Sequence, residues 1–188
     1  ADLKKLIEWD VATCQAFSGA YDYSEFVAST PAGLDCQLSG TNLYRDNPNT
    51  NHHSCNPGRA AGDGYAFCIG GFNDPNYISN SDKALKFKVT IPALSSGSIY
   101  KLNFWGVGQN PTPYIGASSA TNNYPTKYGV RVLKNGTEIY EQSGFGIDQI
   151  WTLEEIVFGS DPDFAYTGGE MFEFQLFAYD PVGNGYTN

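Results

Sequence analysis

The chain contains no apolar run approaching the roughly 20 residues that cross a bilayer as a helix, and no cluster of Lys and Arg anywhere in its 188 residues. The first absence argues against a helical membrane protein. The second, with a formal net charge of −9, argues against a phosphate-backbone partner, because neutralising phosphates takes grouped cations. No stretch repeats at 3.6 residues for long enough to make a long helix, and only "ADLKKLIEW" can begin a short one. No internal repeat, linker, G-x-S-x-G elbow, H-E-x-x-H pair or EF-hand loop occurs. Nucleic-acid binding and the common hydrolase signatures therefore have no support, and the length fits one domain spanning 1–188.

What the chain does have is aromatic weight and alternation. Phe, Trp and Tyr make up 15% of it and charged residues only 16%, a composition suited to many strands joined by turns. "LIEWDV" alternates, with Ile7, Trp9 and Val11 on one face. "LKFKVTI" places Leu85, Phe87, Val89 and Ile91 inward and Lys86, Lys88 and Thr90 toward water. "SIYKLNFWG" sets Tyr100, Leu102 and Phe104 against an outward Lys101, Asn103 and Trp105. "MFEFQLFAY" turns Phe172, Phe174, Leu176 and Ala178 inward. In "YGVRVLKNGTEIYEQSG", Asn135-Gly136 joins two alternating runs and predicts a type I′ hairpin. The alternation of "IWTLEEIVF" slips at Glu154-Glu155, which predicts a bulge that lets both carboxylates reach solvent. "GYAFCIGGF" is a further strand, with "YDYSEFVAS" and "DCQLSG" weaker candidates and "RDNPNTNHHSCNPGRAAGDG" mostly loop. The predicted fold is all-β, an antiparallel two-sheet β-sandwich with jelly-roll topology.

Cys14, Cys36, Cys55 and Cys68 all lie in the first third. An even number in a loop-rich region reads as a disulfide framework that restrains long loops, in an extracellular, oxidising setting. Three pairings remain open. Zinc would want closer ligand pairs than these. A chain beginning "ADLKK" is compatible with a mature N-terminus left by signal cleavage.

Several constellations can carry chemistry. His52 and His53 stand beside Cys55, but adjacent side chains diverge and loop histidines are usually solvated. The acidic residues allow many carboxylate pairs, none of them marked out for glycoside hydrolysis. Calcium has better candidates in "FNDPNYISNSD", with Asp74, Asn76 and Asp82, and in "GSDPDF", with Asp161 and Asp163. Asx-rich turns also form for backbone hydrogen bonding alone. For sugars, Trp105, Tyr114, Asn123 and Tyr124 lie on or beside the long polar insertion and can form a platform that stacks on C–H faces and bonds hydroxyls. Asn135-Gly136-Thr137 is a glycosylation sequon by pattern, although the hairpin already explains it. No residue stands out as catalytic.

The C-terminal half, from "NNYPTKYGVRVLKNGTEIYEQSG" through "WTLEEIVF" to "FEFQLFAYDPVGNG", resembles jelly-roll modules of large secreted, cell-surface proteins of Bacteroidetes and similar bacteria. The resemblance implies a surface binding, adhesive or structural module rather than an enzyme, and carries over no catalytic residue. In the family, a further strand of the type "WDLDxI" follows "VGNG". Here it is not seen after Asn184, while "IEWDV" of similar composition stands near the beginning. That segment is either simply the first strand or an exchange arm, residues 1–11, whose Leu6, Ile7, Trp9 and Val11 fill a vacant position in a neighbouring copy. The expected function is a non-catalytic structural or adhesive surface subunit that partners copies of itself or other surface proteins, and it can extend into a filament by strand complementation. The alternative is a carbohydrate-binding module, aided by calcium.

Overall fold

The structure is a computed structural model, and it describes residues 3–9, 28–30, 38–41, 43–46, 72, 74–108, 124–148 and 150–182, together with the backbone of 53–57 and 65–69. The strands are β1 (Glu8–Trp9), β2 (Ala28–Ser29), β3 (Ser39–Gly40), β4 (His53–Pro57), β5 (Tyr65–Ile69), β6 (Leu85–Thr90), β7 (Gly97–Ser98), β8 (Lys101–Gly106), β9 (Pro125–Lys134), β10 (Thr137–Gly146), β11 (Thr152–Val157), β12 (Ala165–Tyr166) and β13 (Met171–Pro181). Among the described residues the only helical turn is a short 3-10 segment at Pro162–Phe164. Among the described residues the fold is all-β and every pairing is antiparallel.

A five-stranded sheet of order β10-β9-β13-β6-β3 forms the main layer. Its centre is β13, paired with β9 from Phe172 to Pro181 on one side and with β6 from Met171 to Leu176 on the other. Phe172 and Phe174 face the core with Phe87, Val89, Val130 and Val132. The β8/β11 ribbon packs on this face to give a β-sandwich-like arrangement: Phe104 meets Tyr128 at 5.6 Å between ring centroids, and Phe158 meets Phe174 at 6.3 Å. Burial of such rings supplies most of the driving force, at about 1.5–3 kcal/mol each.

The hairpin forms as its turn residues dictate. Asn135 and Gly136 have φ of 52° and 83°, and Lys134 pairs with Thr137 across the turn. Asn135 also ties the turn to β13, since its Oδ1 accepts from the Met171 N–H at 2.9 Å. The edge strand β10 carries register shifts between Glu138 and Tyr140 and between Ser143 and Phe145, irregularities that blunt an edge against further pairing.

Three expectations are corrected. No bulge occurs at Glu154-Glu155: β11 pairs with β8 in unbroken register, and Glu154 turns inward to accept from Tyr128 Oη at 2.9 Å. Lys86 does point away from the main core but is only 3% exposed, covered and ion-paired to Asp46. His53–Pro57 is a strand rather than loop, paired with β5. Leu3 to Trp9 contains no helix, and Glu8–Trp9 is a strand as the alternation of "LIEWDV" predicts.

Two surface turns have a definite pH dependence. The backbone N–H groups of Thr167 and Gly168, each 2.8 Å away, and the Thr167 hydroxyl donate to Glu170. Led by the Thr167 N–H, they hold its carboxyl below its usual range. Lys127, 2.7 Å from Asp180, lowers the Asp180 carboxyl and is itself raised. A depressed carboxylate adds stability that is present above its unfolded pKa and lost as pH falls through the folded one. The raised lysine contributes below its unfolded pKa and loses that contribution as pH rises through its folded value. The melting temperature is therefore expected to be flat near neutrality and to fall below about pH 4. Glu170→Gln should flatten part of that acid limb, measured by thermal melts across pH.

Candidate functional site

Among the described residues, strand β1 of the N-terminal segment pairs with β2 at Glu8 with Ser29 and Trp9 with Ala28. Leu6, Ile7 and Trp9 pack against the main core. The Trp9 ring lies 4.4 Å from that of Phe87, and its Nε1 donates to the Thr41 carbonyl at 2.9 Å. Room for it comes from Gly40: a β-carbon there would stand 2.6 Å from Ile7 Cδ1, 2.6 Å from Ala28 Cβ and 3.2 Å from Trp9 Cζ2. Gly40, Thr41, Ala28 and Phe87 thus make a cradle, filled in this structure by the chain's own segment. Val11 lies outside the described residues.

The second candidate surface is the outward face of β8 and β11. Alternation puts Lys101, Asn103 and Trp105 on it from β8 and Leu153, Glu155 and Val157 from β11. The register sets Trp105 opposite Leu153, Asn103 opposite Glu155 and Lys101 opposite Val157. Trp105 is 46% exposed, Leu153 41% and Val157 55%, and Lys101 is ion-paired to Glu155. Tyr124 stands beside Gly108, where a β-carbon would lie 2.8 Å from its ring, and its carbonyl accepts from the Val182 N–H. Tyr114 and Asn123 lie outside the described residues.

The acidic turns are engaged locally. Asp74 pairs with Lys83 at 2.7 Å, and its carbonyl accepts from the Asp180 N–H. Asp82 is exposed in the following turn. Asp161 caps the 3-10 turn by accepting from the Asp163 N–H at 3.0 Å. Among the described residues no group of three or more His, Cys, Asp or Glu gathers in metal-ligating geometry. Cys14, Cys36 and His52 lie outside the described residues. Cys55 and Cys68 stand on adjacent strands, opposite Phe67 and Ser54 respectively.

A polar band that sequence reading missed crosses the other face of the main sheet. Arg131 Nε donates to Glu138 at 2.7 Å and its Nη1 to Gln175 Oε1 at 3.4 Å. Gln175 Nε2 in turn donates to Glu173 at 2.6 Å, and Lys88 lies 3.4 Å from Glu173. Tyr77 covers one end, with its ring 6.0 Å from Phe177 and 5.8 Å from Tyr179. Burial, reinforced by Glu173 for Tyr44, by Glu141 for Tyr77 and by Glu154 for Tyr128, pushes these three hydroxyls up. At neutral pH they are hydrogen-bond donors, suited to structure rather than to proton abstraction. The signal for this band was present as Glu173, Gln175, Lys86 and Lys88 at alternate positions, but alternation reveals a face and not what covers it.

Comparison with protein families, with curated proteins and with solved structures returned no match. The functional reading therefore rests on the residues themselves.

Proposed function

We propose that the protein is a non-catalytic, extracellular structural or adhesive surface subunit, a disulfide-restrained jelly roll that associates with copies of itself by exchanging its N-terminal segment. The observation that supports this most is the mode of attachment of Trp9. It is anchored by a ring contact, an indole hydrogen bond and a glycine-lined cradle, with a two-residue ladder beside it. Contacts of that kind are the same whether the segment comes from its own chain or from a neighbour, so the choice is set by concentration and by the connection. Exchange from one copy to the next is a heterologous contact, and repeated it builds a filament.

The test is sedimentation velocity on the full chain over a range of concentrations. Wild type is expected to associate as concentration rises. Gly40→Leu fills the cradle and should stay monomeric with an unchanged far-ultraviolet spectrum. Wild type that is monomeric throughout, or Gly40→Leu that associates equally well, would remove the reading.

One observation favours a second reading, a carbohydrate-binding module aided by calcium. Trp105 presents nearly half its surface to solvent on the outward face of β8, beside amide, amine and carboxylate groups.

A further inference from the structure

We propose that the peptide bond between Asp180 and Pro181 is a self-cleavage site, at which the Asp180 carboxylate attacks its own main-chain carbonyl and the Thr126 hydroxyl steadies the oxyanion. This is a single-turnover event on the chain itself and is independent of the functional reading above. The site lies at the end of β13, between the Tyr179–Lys127 and Pro181–Pro125 pairs with β9. Three features meet there. Asp180 has φ of 57°, a left-handed conformation whose strain is released when the chain breaks. Thr126 Oγ1 donates to the Asp180 carbonyl oxygen, the atom on which negative charge develops, at 2.8 Å. Lys127 Nζ, 2.7 Å from Asp180 Oδ2, fixes one carboxylate oxygen, and the other is the nucleophile.

In the step, Asp180 Oδ1 bonds to the Asp180 carbonyl carbon and closes a cyclic anhydride. The carbon–nitrogen bond to Pro181 breaks, its electron pair stays on the Pro181 nitrogen, and that nitrogen takes a proton from solvent. Water then opens the anhydride to two carboxyl groups, so the sum is hydrolysis of one peptide bond. Proline suits the leaving role because its nitrogen carries no hydrogen and makes no ladder bond that would hold it. The reaction needs an ionised carboxylate and acid in solvent together. Lys127 holds the Asp180 carboxyl below its usual range, by its hydrogen bond first and its charge second, which keeps it ionised in mild acid. The other ionisable groups around it are Tyr179 and Asp74, whose carbonyl accepts from the Asp180 N–H and whose carboxylate is paired with Lys83. Two further Asp–Pro bonds, Asp74–Pro75 and Asp161–Pro162, serve as internal controls. Neither aspartate has a positive φ. Asp161 uses its carboxylate on the Asp163 N–H, and the Asp74 side chain is 20% exposed against 42% for Asp180, which limits access of water and protons. The described pairings of β13, except Pro181 with Pro125, precede the cut, so the sheet should survive it.

The test is intact-mass analysis over time of the full folded chain at about pH 5, beside the same chain unfolded in guanidinium, where the three Asp–Pro bonds are equivalent. Fragments 1–180 and 181–188 are expected from the folded chain about tenfold or more faster than from the unfolded one, with Asp74–Pro75 and Asp161–Pro162 intact. Asp180→Asn should stop the reaction. Thr126→Val should slow it by about tenfold or more, and Thr126→Ser should retain most of the rate. Lys127→Met should make the rate level off at a higher pH as acid is added. Far-ultraviolet spectra identify a variant that fails to fold, and the comparison of folded with unfolded wild type stands without the variants. A folded chain that stays intact, cleavage no faster than in the unfolded chain, equal cleavage at the three bonds, or a folded Thr126→Val that cleaves as wild type does would overturn the proposal.

Discussion

Phe164→Ala is expected to destabilise the protein by about 3–5 kcal/mol, a large share of the roughly 5–15 kcal/mol that holds a typical domain together. The Phe164 ring is fully buried and lies 3.9 Å from that of Phe158 in a stacked arrangement. It also faces Phe172 at 6.4 Å and Tyr140 at 6.1 Å. Those partners come from β13, from β10 and from the end of β11, so one ring joins the main sheet to the ribbon. Its position depends on the short turn before it, in which Pro162 occupies an early position and Asp161 caps the Asp163 N–H. Truncation removes the ring from a site whose neighbours belong to three different strands and cannot all close in. Urea unfolding should show a lower midpoint with an unchanged slope, and Phe164→Leu should recover much of the loss.

Gly168→Ala is expected to cost on the order of 3 kcal/mol, for two reasons that add. Gly168 has φ of +111°, a conformation that costs an L-residue about 1–3 kcal/mol. A β-carbon there would also stand 2.7 Å from the Leu94 backbone nitrogen and 3.1 Å from the Pro92 carbonyl oxygen. Backbone atoms cannot rotate aside as a side-chain tip does, so the turn that Glu170 organises must shift. Gly159→Ala is the control: its φ is +67°, but nothing stands within 4 Å of an added β-carbon. It should lose only the conformational part, about 1–2 kcal/mol, and the difference between the two variants, read by denaturant unfolding, measures the close approach.

The legible parts of the fold are those whose signal is local. Asn135-Gly136 specifies its turn through two positive φ values, and the turn forms. The alternation in β6, β8 and β13 correctly placed Phe87, Val89, Phe104, Phe172 and Phe174 on the core, and Trp105 outward. What failed depended on partners distant in sequence. Glu154 reads as solvent-seeking, yet the hydroxyl of Tyr128, from a facing strand, satisfies it inside. Lys86 reads as exposed because nothing local says that it will be covered and paired with Asp46. His53–Pro57 has no apolar alternation to mark it as a strand, and pairing with β5 decides the matter.

The candidate sites divide the same way. Trp9 and Trp105 were both marked by sequence, one as an inward ring on a short strand and the other as an outward ring on a long one. Their surroundings were not. Gly40 becomes the floor of the Trp9 cradle only because β3 pairs beside β6 and brings it under the N-terminal segment. Asn103 and Glu155 become neighbours of Trp105 only through the β8/β11 register. Tyr124, also marked by the composition around the insertion, packs over Gly108.

The claim of segment exchange is tested most directly by mixing two variants that each break a different half of the contact. Trp9→Ala keeps the Gly40 cradle and lacks the anchor; Gly40→Leu keeps the anchor and fills the cradle. Sedimentation velocity should find each variant monomeric alone at a concentration where wild type associates. An equimolar mixture should give a one-to-one complex, with the segment of Gly40→Leu seated in the cradle of Trp9→Ala. A mixture that stays monomeric under those conditions, or single variants that associate as wild type does, would contradict exchange through this segment.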